Sequence, residues 1–61
     1  MTERISKNAV VMAGLGDVGI VEAYGFPSDL RGHSNWIVRF GPMDSDVEVF
    51  HDLDLTVLME G

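Results

Sequence analysis

The chain contains no cysteine, which removes disulfides as a source of stability and thiolate as a nucleophile or metal ligand. Zinc would have to rely on His33, His51 and carboxylates, and the two histidines lie far apart with no H-x-x-x-H spacing, so no metal is expected. Basic residues are scarce: Arg4, Lys7, Arg31 and Arg39 face ten acidic residues, for a formal net charge of −6. The resulting field repels a phosphate backbone and disfavours nucleic acid as a partner. No apolar run approaches the roughly 18 residues of a membrane span. The polar start, Met1-Thr2-Glu3-Arg4-Ile5-Ser6-Lys7-Asn8, has no apolar stretch behind its charges. The chain therefore reads as soluble and cytoplasmic, with no membrane partner. Length is short too: 61 residues make one domain at most. A domain of that size buries only about 60% of the surface its unfolded chain exposes, so a homo-oligomer is the expected remedy.

What is present is β-branched and turn-punctuated. Residues 1–7 are mixed and polar and read as a flexible N-terminal segment outside the core; residues 8–61 form the domain. Ala9 to Ala13 reads as a strand ended by Gly14-Leu15-Gly16-Asp17, and Val18 to Tyr24 as a second, stopped by Gly25 and Pro27. Phe26 to Asn35 concentrates turn formers and is the longest expected loop. Trp36 to Phe40 alternates, with Trp36, Val38 and Phe40 on one face and Ile37 and Arg39 on the other. A hairpin-length connection leads to Val47-Glu48-Val49-Phe50-His51; Asp52-Leu53-Asp54 reads as a single helical turn, and Leu55 to Met59 as a fifth strand. Five short strands with almost no helix predict an all-β domain, a five-stranded SH3-like barrel, because an open sheet of this size exposes an apolar face and two edges.

The order of strand, Gly14-to-Val21 turn and strand, long loop, Trp36–Phe40, Val47–Phe50 and acidic turn resembles SH3-like barrels of the KOW and Tudor kind, over residues 8–59. That resemblance implies a binding module rather than a particular ligand.

Four motifs invite chemistry. Gly14, Gly16 and Gly19 match G-x-G-x-x-G, but the following Ile20 to Tyr24 is β-leaning and no helix opens there, so a hairpin accounts for the glycines and a dinucleotide does not. Asp44, Asp46, Glu48, Asp52 and Asp54 set five carboxylates within eleven residues. Val49 stands where a calcium loop needs glycine, which leaves a solvated acidic rim. His51 reads as a candidate acid–base partner of Asp52 or Asp54; strand alternation favours Asp54. Ser28, Ser34 and Ser45 sit in turns without a nucleophile elbow. Among the aromatic residues, Trp36 and Phe40 share a face with Val38 and are expected in the core. Tyr24, Ile37 and Phe50 are the candidates for a binding groove or a subunit interface.

One further resemblance bears on catalysis. Val47-Glu48-Val49-Phe50 is similar to the Val-Gln-Ile-Tyr segment of the type II dihydrofolate reductases, tetramers of SH3-like barrels around one pore. The resemblance implies Val47, Glu48, Val49 and Phe50 as pore residues contacting NADPH and dihydrofolate. Glu48 puts a carboxylate where the family has an amide, and Phe50 lacks the phenol hydroxyl. Repeated around a pore, that carboxylate would repel two anionic ligands. The leading expectation is therefore a non-enzymatic, self-associating module that binds a protein partner and needs no cofactor; the NADPH-dependent reductase is the alternative.

Overall fold

The computed structural model describes residues 5–61. It is all-β: β1 (Val10–Ala13), β2 (Asp17–Pro27), β3 (Ser34–Arg39), β4 (Val47–His51) and β5 (Leu55–Met59) form one antiparallel sheet in the order β4-β3-β2-β1-β5. Two 3-10 turns, Asp44–Asp46 and Asp52–Asp54, are the helical pieces among the described residues, and the second is the expected reversal into the fifth strand. No helix among the described residues is long and apolar enough to cross a membrane.

Alternation builds the core. Ala9, Val11 and Ala13 are buried while Val10 and Met12 point to the other side. Val21 on β2 and Val38 on β3 are register partners at the centre, and Leu55 enters from β5 opposite Ala13. Phe50 of β4 and Val57 of β5 pack on the same cluster although these strands stand at opposite ends of the order. The sheet therefore curls around one core, an arrangement compatible with an SH3-like barrel. None of the fully buried side chains is larger than leucine, so the half-buried Trp36, Phe40 and Phe50 supply much of the apolar closure.

Three expectations change. The second strand does not stop at Gly25 and Pro27: β2 runs to Pro27 and β3 begins at Ser34, so the long loop shrinks to residues 28–33. Register shifts between Val21 and Ala23 and between Tyr24 and Phe26 accommodate the strand. The missing side chain at Gly25 admits the Asn35 carbonyl, since a Cβ there would lie 2.8 Å from that oxygen. Second, the N-terminal segment is not wholly outside the core. Residues 1–4 lie outside the described residues, but Ile5 packs against the cluster, and a turn closed by Ala9 N–H to Ser6 O places Asn8 at φ +73°, which asparagine tolerates. Third, the connection before β4 contains the Asp44–Asp46 turn, tied by Phe40 N–H to Asp46 O at 2.8 Å.

Candidate functional site

Register on the core-facing side of β2, β3 and β4 lines up Tyr24, Trp36 and Phe50. Tyr24 meets Trp36 edge-on at 5.3 Å and 89°, and Phe40 meets Phe50 edge-on at 5.6 Å and 78°. Beside the second pair opens a groove of about 440 Å³ to which three elements each bring a carboxylate: Asp17 from the start of β2, Asp46 from the 3-10 turn and Glu48 from β4. Glu48 is the partner of Val38, so alternation turns it to the core-facing side of an outer strand, where it stays exposed. Asp46 is fixed, its Oδ2 accepting from Met43 N–H at 3.0 Å. Carboxylates beside phenyl rings attract an ammonium or guanidinium and repel anions.

Across the wall made by Val18 and Phe40 lies a second concavity, of about 540 Å³, with Val10, Val18 and Ile20 in its lining and Lys7, Glu22 and Arg39 among its polar residues. Arg39 is clamped there. Its Nε donates to Glu22 Oε1 at 2.6 Å, and its Nη1 donates to Gly41 O at 3.2 Å and Met43 O at 3.0 Å. The hydrogen bond from Arg39 holds the Glu22 carboxyl below its ordinary value, aided by the charges of Arg39 and Lys7. The same bond raises Arg39.

A third cluster joins residues that sequence distance kept apart. His33 and His51 lie 5.7 Å apart between ring centroids. Asp52 Oδ1 receives His33 Nδ1–H at 2.9 Å and its Oδ2 receives Ser34 N–H at 3.1 Å. Asp52 Oδ1 is also 3.3 Å from His51 Nδ1, contrary to the preference for Asp54, because the 3-10 turn starting at Asp52 ends strand alternation. Ser28 Oγ is 2.7 Å from His51 Nε2, which gives the outline of a serine–histidine–aspartate array. Leu53 N–H donates to His51 Nδ1 at 3.2 Å, and Ser28 Oγ accepts from Leu30 N–H at 3.0 Å, so ring and hydroxyl are each tied to neighbouring backbone. The array is a latch that fixes residues 28–34 to the end of β4. No group of three or more metal-ligating side chains occurs among the described residues.

The candidate residues are distributed as follows. Tyr24 and Phe50 flank Trp36, whereas Ile37 faces the opposite side in a row with Ala23 and Val49, so the three do not make one patch. Glu48 and Phe50 border the groove, and Val47 and Val49 alternate to the other face of β4. The five-carboxylate rim divides: Asp46 and Glu48 enter the groove and Asp52 accepts from His33. Asp17 was not legible as a groove residue, since neither adjacency nor period links it to Glu48. Compared with known proteins, the chain matches no family model, and no curated protein or solved structure matches it.

Proposed function

We propose that the chain is a small, self-associating binding module of the SH3-like barrel kind, whose acidic groove receives a cationic segment of a protein partner. The observation that carries this reading is the convergence of Asp17, Asp46 and Glu48, from three separate elements, beside the Phe40–Phe50 pair. A lysine or arginine stem can lie along the rings while its head meets the carboxylates. No nucleophile with an associated base accompanies the groove among the described residues, and a binding role needs none. The cytoplasm, where disulfides are little used, suits a chain without cysteine.

The test is fluorescence anisotropy of a short labelled peptide alternating arginine and alanine. Glu48→Gln, in the groove, is compared with Asp29→Asn, on the loop between β2 and β3. Both remove one negative charge. Binding weakened by Glu48→Gln and spared by Asp29→Asn supports the groove. Equal weakening means that the peptide reads only net charge, and that outcome, like no binding at all, overturns the reading.

A further inference from the structure

We propose that the chain forms a two-fold dimer in which the Leu15 turn of each protomer seats in the apolar concavity at Val10, Val18 and Ile20 of its partner. This rests on the self-association in the reading above and names its interface. Leu15 is fully exposed, at 107% of its reference area, on the three-residue turn between β1 and β2. The flanking glycines hold left-handed or related backbone, with φ of +60° at Gly14 and +142° at Gly16, so the leucine is presented on a fixed loop. A water-facing turn ordinarily carries a polar side chain at such a position, and Leu15 contributes nothing to this protomer's core.

The same chain carries the complement. Val18 and Ile20 stay half exposed beside the concavity, which is ample for a leucine side chain. Charge selects this place over the rest of the surface. A net charge of −6 opposes contact between copies. Lys7, Arg39 and Glu22 stand at the concavity, where Glu22 offsets Arg39 and Lys7 leaves a net positive charge among the three, and Asp17 arrives two residues after Leu15. A seated turn therefore places its carboxylate against the partner's basic side. Knob and hole are also close in the chain: Val18 is separated from Leu15 by at most about 10 Å of extended backbone. A two-fold axis beside Val18 lays each turn over the other concavity and closes the assembly at two copies, as an isologous contact must.

Sedimentation velocity over a concentration series tests this, with circular dichroism to verify the fold of each variant. The wild-type chain is expected to dimerise, and Leu15→Asp, at a position without packed neighbours, to raise the dissociation constant by about tenfold or more. Lys7→Glu and Asp17→Lys should each weaken the dimer. An equimolar mixture of those two variants should restore it, because every contact between the unlike chains is then of opposite sign. A wild-type dimer untouched by Leu15→Asp, or singly weakened variants not rescued on mixing, overturns this interface while leaving self-association standing. Mass that grows without limit overturns the two-fold closure. A wild-type chain that stays monomeric throughout overturns both self-association and the interface.

Discussion

Gly25 shows how one missing side chain sets a strand boundary. Its Cβ position lies 2.8 Å from the Asn35 carbonyl oxygen and 3.3 Å from the carbonyl carbon, both backbone atoms that cannot swing aside. Gly25→Ala should therefore destabilise the fold by about 1–3 kcal/mol, as overpacking does, read as a lower urea midpoint. An unchanged midpoint would mean that β2 and β3 part here at little cost. At Glu22 the folded-state pKa is depressed, chiefly by the hydrogen bond from Arg39. Its contribution is thus present at neutral pH and is lost as pH falls through the lowered value. The urea midpoints of wild type and Glu22→Gln should differ most at neutral pH and converge in acid. A gap that widens in acid would contradict the pairing. Because both side chains are substantially exposed, the gap should also shrink in salt.

At the scale of elements, the connection from Ser28 to His33 is the segment most dependent on side chains. Ser28 N–H reaches His33 O at 3.1 Å and His33 N–H reaches Leu30 O at 3.1 Å; the rest of its fixation passes through Asp52 and His51. Asp52→Ala removes the acceptor for His33 and for Ser34 N–H. Trypsin should then cleave after Arg31 several-fold faster, with little change in the urea midpoint. Cleavage that rises only in step with global unfolding would show that Asp52 does not hold this loop. These elements also show what the sequence makes readable. Alternation at Trp36–Phe40 and Val47–His51, and the turn formers at Gly14–Asp17, announce four strands and a hairpin, because period two and glycine turns are local properties. Residues that meet through register are not announced. The approach of His33 to His51, the row Tyr24–Trp36–Phe50 and the gathering of Asp17, Asp46 and Glu48 each depend on pairing between distant strands. The extension of β2 through Gly25 and Pro27 was hidden for a related reason: both residues normally interrupt strands, and only the bulged pairing with β3 accommodates them.

At the scale of the whole molecule, a thin apolar core works against a one-sided charge. Among the described residues a single ion pair, Arg39–Glu22, joins a permanent cation to a carboxylate, while the chain carries ten acidic residues against four basic ones. Repulsion among carboxylates is therefore the larger electrostatic contribution at neutral pH, and it opposes the folded state more than the expanded one. Raising sodium chloride from 0.01 M to 1 M shortens the screening length from about 30 Å to about 3 Å. Long-range repulsion is then removed, whereas burial of Val11, Val21 and Val38 is untouched by screening. The urea midpoint should accordingly rise with salt. Affinity of the groove for a cationic peptide should fall over the same range, because attraction by Asp17, Asp46 and Glu48 is screened as well. Opposite slopes from one preparation would separate repulsion within the fold from the proposed attraction for a basic partner. A midpoint that falls with salt would mean that local pairs outweigh repulsion, and peptide affinity indifferent to salt would place binding on the aromatic rings rather than the carboxylates.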